Sequence, residues 1–430
     1  MPTQFSELTI EQLQECRDSY QTQYRSYKEQ KLNLDLTRGK PATEQLDLAN
    51  SLDGILQGFY LLQDGTDVRN YGGILGIPEA RALGGELLEL PANEIMVGGN
   101  SSLTLMYLYI AHMLKSSWQE EADRTNEPIK FLCPVPGYDR HFAICEHFNI
   151  EMICIPMNDE GPDMQSMQEL VNNDPMIKGI WCVPKYSNPG GQTYSTSVVD
   201  SMASLADTAT EDFRVMWDNA YAVHHLSETE DKLSSLMDAA RLVGSTDKIA
   251  YLGSTSKITF AGAGISFIGL TETNLKRFEQ FLSASMIGAD KVNQLRHVRF
   301  LEDAKGIRDH MNKHKEIIKP RFAMVQEILQ AALKGLEIAD WTRPNGGYFV
   351  SLDTMPGLAS KVVAMAGEAG VKLTPAGATF PHGLDPNDQN IRIAPTYPSL
   401  SALKQALEVF VVCLKLASLD RLIDAHIDEH

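Results

Sequence analysis

Lys257 closes the segment Lys248-Ile249-Ala250-Tyr251-Leu252-Gly253-Ser254-Thr255-Ser256-Lys257, an apolar strand-like run that breaks into small hydroxyl residues. An amine delivered by a rigid strand end among hydrogen-bonding neighbours is suited to forming a Schiff base with an aldehyde. A solvated loop lysine would explain the same segment. Upstream, Asp218-Asn219-Ala220-Tyr221 follows the run Phe213-Arg214-Val215-Met216-Trp217. A carboxylate at a buried strand end is costly unless a cation or strong donor meets it. A pyridinium nitrogen is such a partner, and pairing with Asp218 keeps that ring protonated and able to accept electrons. Tyr221 is placed to donate to an oxygen on the same ring. A helix N-cap aspartate followed by a packed tyrosine is the plainer alternative.

Three further groups carry chemistry. Ser187-Asn188-Pro189-Gly190-Gly191 reads as a turn, and it also offers the Asn188 amide to a ring oxygen and a carboxylate. Val97-Gly98-Gly99-Asn100-Ser101-Ser102 leads into an apolar helix, and glycines and hydroxyls before a helix N-terminus make an anion seat as well as a cap. Asn390-Ile391-Arg392-Ile393-Ala394 sets an arginine between apolar residues in a strand, where its fork must find an anion. A structural salt bridge and a bidentate substrate carboxylate both satisfy that need.

The elements that must position these residues follow from periodicity. Strands are expected at about 94–97, 129–133, 151–155, 179–183, 213–217, 249–252 and 264–270, with helices at 102–114, 140–147, 164–172 and 198–206 between them. Such alternation predicts an α/β fold with a mostly parallel, helix-covered sheet, whose ligands bind outside the carboxyl ends of the strands. A surface helix precedes it at 9–32. A long helical region at 274–335 and a smaller α+β unit follow. The glycine-rich stretches do not fit a dinucleotide fingerprint, because Gly72-Gly73-Ile74-Leu75-Gly76 is wrongly spaced and Phe267 stands where Gly262-Ala263-Gly264 would need its third glycine.

At 430 residues, with 43% hydrophobic and 22% charged residues, the chain is long enough for two globular domains. Its net charge of −18 argues against nucleic-acid and anionic-membrane partners. No stretch approaches the roughly 18 apolar residues of a membrane span, and the first residues do not read as a secretory signal. The 6 cysteines form no C-x-x-C pair, which suits reduced core thiols in a cytoplasmic protein and no metal site.

Taken in order, Asn188-Pro189-Gly190-Gly191, Asp218 to Tyr221, Ser254 to Lys257 and the late Arg392 resemble the fold-type I aminotransferases that use pyridoxal 5'-phosphate, in particular the aspartate and aromatic group. Tyr71 before Gly76, Pro136-Gly137-Tyr138 and Arg343-Pro344-Asn345-Gly346-Gly347 extend the match over nearly the whole chain. Leu34-Asp35-Leu36-Thr37-Arg38-Gly39-Lys40-Pro41 and the tyrosine- and glutamine-rich front look like a divergent bacterial aspartate aminotransferase branch. The resemblance implies a large cofactor-binding domain at 51–325 and a small domain made of 1–50 and 326–430. It implies that Lys257 holds the cofactor and moves the substrate proton, that Asp218 and Tyr221 address the ring, and that Tyr138 stacks on it. Gly99, Asn100, Ser101 and Ser254 would hold the phosphate, joined by Tyr71 from a second subunit of a homodimer with shared sites. Gly39, Asn188 and Arg392 would take the α-carboxylate. A distal carboxylate would need another cation, for which Arg38, Lys185, Lys291 and Arg296 are candidates. The implied reaction is amino transfer between an L-amino acid, aspartate or glutamate first, and a 2-oxo acid. A β-lyase or decarboxylase on the same scaffold is the alternative, and a cofactor-sensing regulator is disfavoured by the short, weakly basic front. In the resembled family an arginine after the lysine clamps the phosphate; here Ile265 holds that place.

Overall fold

Mostly apolar runs such as Ile177-Lys178-Gly179-Ile180-Trp181-Cys182, buried at every position, suit strands covered on both faces, and here they pair into one large sheet. The computed structural model describes residues 4–37 and 39–428. Its strands are β1 (Leu34–Leu36), β2 (Ile95–Val97), β3 (Lys130–Val135), β4 (Glu151–Asn158), β5 (Gly161–Pro162), β6 (Ile177–Cys182), β7 (Arg214–Asp218), β8 (Ile249–Ser254), β9 (Ser266–Gly269), β10 (Ala339–Trp341), β11 (Val350–Thr354), β12 (Val371–Leu373) and β13 (Asn390–Ile393). The helices that matter below are α1 (Ile10–Glu29), α2 (Ser102–Met113), α3 (Asp139–His147), α4 (Lys291–Leu301), α5 (Ala304–Leu333) and α6 (Leu400–Asp428).

The 8-stranded sheet has the order β2-β9-β8-β7-β6-β3-β4-β5. Strands β8, β7, β6, β3 and β4 run parallel, while β9 is antiparallel to both neighbours and β5 to β4. The expected α/β class and its mostly parallel sheet are what the chain forms. From β3 the chain goes out to β4 on one side and returns to β6 on the other. Open α/β sheets bind ligands in the crevice at such a reversal, outside the carboxyl ends. The ends of β3, β6, β7 and β8 all open there.

Two apolar cores cover the faces of this sheet, and a third lies beside it. The third gathers both ends of the chain. Leu13 and Tyr24 of α1 pack on α6, which is buried on nearly all sides along residues 403–419. Thr9 starts α1 with a reciprocal capping box to Gln12, so the helix begins at that residue. The small sheets β1-β12 and β10-β11-β13 lie in the same unit. Helix α5 joins the cores: Ile307 and Met311 face the sheet core, and Ile318 through Leu333 face the other. Pro320 sits where the helix passes between them, and the domain division expected at 325/326 falls inside this helix. Among the described residues no helix is long and apolar enough to cross a membrane.

Candidate active site

Strand β7 delivers Asp218 into the crevice with only 3% of its side chain exposed. His141 Nε2, from α3, donates to Asp218 Oδ2 at 3.0 Å. The His141 ring lies flat on Trp181 of β6, with centroids 4.4 Å apart and planes 11° from parallel. Asp218 Oδ1 is buried and, among the described residues, has no partner. An unmet buried carboxylate oxygen costs about 1–3 kcal/mol or more, so this pocket is built for a donor brought by a ligand. A protonated ring nitrogen fits that requirement.

After β8 the chain makes a single tight turn, with Ile258 N and Thr259 N each donating to Thr255 O at 2.8 Å. The turn lifts Lys257 off the strand end. Its Nζ stands 4.9 Å from the centre of the Tyr221 ring and 5.9 Å from that of Tyr348. Its carbonyl accepts from His224 Nε2 at 3.3 Å, and the next carbonyl, of Ile258, accepts from His310 Nε2 at 2.7 Å. Imidazoles therefore fix the main chain on which the amine pivots. Burial lowers the Lys257 pKa, Asp218 opposes that shift, and Arg392 adds to it. The net shift is toward the neutral amine, the form that attacks a carbonyl or accepts a proton. Burial also holds the Tyr221 and Tyr138 phenols protonated, well above their usual range.

On the opposite wall β13 supplies Arg392, 7% exposed. Its Nη1 donates to Asp139 Oδ1 at 2.9 Å and to Asn188 Oδ1 at 3.3 Å, while its buried Nε has no partner among the described residues. The guanidinium carbon lies 5.0 Å from the centre of the Phe349 ring. Gly39 backs the same ring so closely that a Cβ there would run into it. Tyr138 stands edge-on to His141, with centroids 5.0 Å apart. A ring seated over Asp218 would thus meet Tyr138, Tyr221, Lys257 and Asn188.

Beside this pocket lies a polar seat. Ser101 is the N-cap of α2, yet its side chain makes no capping bond, and Gly99 and Asn100 are exposed. Asn100 ties the seat to the Lys257 turn: its carbonyl accepts from Ser256 Oγ at 2.7 Å, and its Nδ2 donates to Gly262 O at 3.4 Å. Ser254 Oγ accepts from Ser256 N at 3.4 Å. Ser266 Oγ is buried without a partner among the described residues, next to Gly98, where a Cβ would come within 2.8 Å of it. Free helix amides, hydroxyls and one orphaned oxygen suit an anion such as a phosphate. Ile265 is a buried core residue, 1% exposed, and supplies no charge.

The structure gathers Lys257, Asp218, Tyr221, Tyr138, Asn188, Gly39 and Arg392 around the pocket, and Gly99, Asn100, Ser101 and Ser254 around the seat. Others stand apart. Tyr71 is 86% exposed on an outer loop. Arg296 is half-buried on α4, and among the described residues no hydrogen bond or ion pair links it to the pocket. Lys291 Nζ donates to Gly72 O at 2.6 Å, and Lys185 pairs with Glu230 at 2.6 Å, so both are otherwise engaged. Arg38 lies outside the described residues. Sequence reasoning missed His141, Asp139, His224 and Tyr348. A histidine and an aspartate directly after Pro136-Gly137-Tyr138, at a helix start beside a strand end, were the available signal for two of them.

The aspartate amino-transferase family model matches residues 8–426. An aspartate aminotransferase of Corynebacterium glutamicum is 42% identical over 399 residues, covering 91% of each chain. A Mycolicibacterium smegmatis protein described as a candidate aminotransferase is 47% identical over 412 residues, 94% of this chain and 96% of its own. The crystal structure of an aspartate transaminase from Corynebacterium glutamicum superposes with a TM-score of 0.93 at 40% identity, over 98% of this chain and 100% of that one. On this pocket and these matches, the chain belongs to the aspartate amino-transferase family.

Proposed function

We propose that this aminotransferase-family enzyme uses pyridoxal 5'-phosphate, held by Lys257, to move an amino group between an L-amino acid and a 2-oxo acid. Aspartate and glutamate are the first candidates for the amino acid. The observation that carries the reading is the bare, buried Asp218 Oδ1 lying across the pocket from a lysine whose ammonium is disfavoured. Bound there, the cofactor would supply an electron-accepting ring that lets a substrate Cα–H bond lose its proton.

The chain's own residues supply the rest. Asp218, oriented by His141, would keep the ring nitrogen protonated. Tyr221 and Asn188 would donate to the ring oxygen, and Tyr138 would cover the ring face. Gly99, Asn100, Ser101 and Ser254 would hold the phosphate with hydroxyls and helix amides. Tyr71, exposed on its loop, would reach that phosphate in the other subunit of a homodimer. Arg392 would take the α-carboxylate with its free nitrogens, with Asn188 beside it and Gly39 admitting Phe349 underneath. Lys257 Nζ, neutral, would remove the Cα proton. For a distal carboxylate, Arg38 and Arg296 remain the proposed cations, Arg296 from the partner subunit. The chain would work as a cytoplasmic enzyme on small molecules.

The test is spectroscopic and stoichiometric. Protein incubated with pyridoxal phosphate should gain a visible band that shifts when glutamate or aspartate is added. Donor and 2-oxoglutarate should then disappear in equal amounts across a panel of amino donors. A protein that stays colourless sinks the cofactor assignment, and ammonia release without 2-oxoglutarate consumption sinks the transfer reaction.

A further inference from the structure

Arg392 already carries a carboxylate. Asp139, the first residue of α3, accepts from its Nη1 at 2.9 Å. The contact uses one nitrogen of the fork, which Nη1 also shares with the neutral Asn188 Oδ1, and leaves the buried Nε unmet. A ligand carboxylate that engages two nitrogens of the guanidinium makes the stronger, bidentate pair. Asp139 is also held loosely. A third of its side chain is exposed (34%), and Arg140 Nε stands 3.9 Å from its other oxygen, Oδ2. Its place in the first turn of α3 favours a free negative charge there. A short rotation would therefore carry Asp139 from one arginine to the next without stranding its charge.

We propose that Asp139 is an internal stand-in for the substrate carboxylate, neutralising Arg392 until a ligand arrives and then passing to Arg140. The inference rests on the reading of Arg392 as the carboxylate clamp. It makes Asp139 an affinity-setting residue. Every carboxylate ligand must displace it, so binding is weaker than an unopposed arginine would give, and ligands unable to bond two guanidinium nitrogens are refused. Without Asp139 the hydrogen-bond partner left to the buried arginine among the described residues is the neutral Asn188 amide.

Calorimetric titration of the holoenzyme with succinate, an unreactive dicarboxylate, tests this. Asp139→Asn keeps the shape and the acceptor oxygen but removes the competing charge. Succinate affinity should rise by about tenfold, the scale of one charge-assisted hydrogen bond. Unchanged or weaker binding overturns the proposal, and a damaged pocket could not produce the tightening. Arg140→Gln removes the receiving cation and should weaken succinate several-fold; no change there overturns the hand-over. Arg392→Gln separates the two readings. If it weakens succinate strongly while Asp139→Asn does nothing, Asp139 alone is misassigned. If Arg392→Gln has no effect, the clamp reading has failed and this proposal with it.

Discussion

Replacing His141 with leucine removes the one side-chain donor that Asp218 has among the described residues. The two side chains are 2% and 3% exposed, and Asp218 Oδ1 already lacks a partner. The variant therefore leaves a buried carboxylate with both oxygens unmet. Losing a hydrogen bond to a charged group costs about 1.5–3 kcal/mol. Stranding the charge raises that to about 3–5 kcal/mol. The Asp218 charge raises the Lys257 pKa against burial, so proton uptake by that amine would offset part of the stranding, which places the expected loss near the lower end, about 3 kcal/mol. Urea unfolding of the cofactor-free protein at fixed protein concentration measures it, since subunit association would otherwise shift the apparent value. Asp218→Asn in the same background should recover part of the loss, because the stranded charge is gone, giving a coupling of about 2 kcal/mol in the double-mutant cycle. Single-variant destabilisation under about 1 kcal/mol, or strict additivity, would refute the claim that His141 serves this carboxylate.

Other consequences follow from the same geometry. Gly39→Ala pushes a methyl into the Phe349 ring beneath Arg392; the amino-donor KM should rise by about tenfold or more with a smaller change in kcat, and an unchanged KM would separate Gly39 from the carboxylate pocket. Burial lowers the pKa values of His224, His310 and His314, that of His314 to about 4. The unfolded chain takes up these protons near pH 6.5 and the native state refuses them, so this stability is complete above about 6.5 and is lost as pH falls toward 4. His314 alone should account for about 2–3 kcal/mol lost between pH 7 and 4.5, and His314→Asn should flatten the decline in urea titrations; identical slopes would exclude it. Ser266→Ala removes an orphaned hydroxyl from beneath Gly98. It should weaken pyridoxal phosphate binding by several-fold, read by equilibrium dialysis, with little cost to the apoprotein; equal affinity would remove Ser266 from the phosphate seat.

Much of this site was readable in the sequence because its residues sit where local pattern breaks. Asp218 and Lys257 follow apolar runs that read as strands, and the structure places Asp218 at the end of β7 and Lys257 in the turn just after β8. The α/β class came from the same alternation. What stayed hidden depends on which strands become neighbours. His141 meets Asp218 across 77 residues, and Asp139 meets Arg392 across 253. The first meeting needs β3 beside β6 and β6 beside β7, and the second needs the small sheet that carries β13 to pack against the start of α3, choices that periodicity does not encode. The strands Leu34–Leu36 and Ala339–Trp341 are too short to show alternation. The helix Pro78–Leu88 was obscured by Gly84 and Gly85, which its close packing against Phe267 and the Leu90 carbonyl requires. Arg296 is a candidate because the resemblance brings a cation at this run from the other subunit, and among the described residues no hydrogen bond or ion pair ties it to this chain's own pocket.

The central claim is that the amine of Lys257, facing Asp218, is the covalent anchor of pyridoxal phosphate. Borohydride reduction of the coloured protein, followed by digestion and mass spectrometry, tests it directly. One phosphopyridoxyl group is expected, on Lys257, with no label and loss of the visible band in Lys257→Ala. Stoichiometric label on any other lysine, or an unchanged band in the variant, would contradict it.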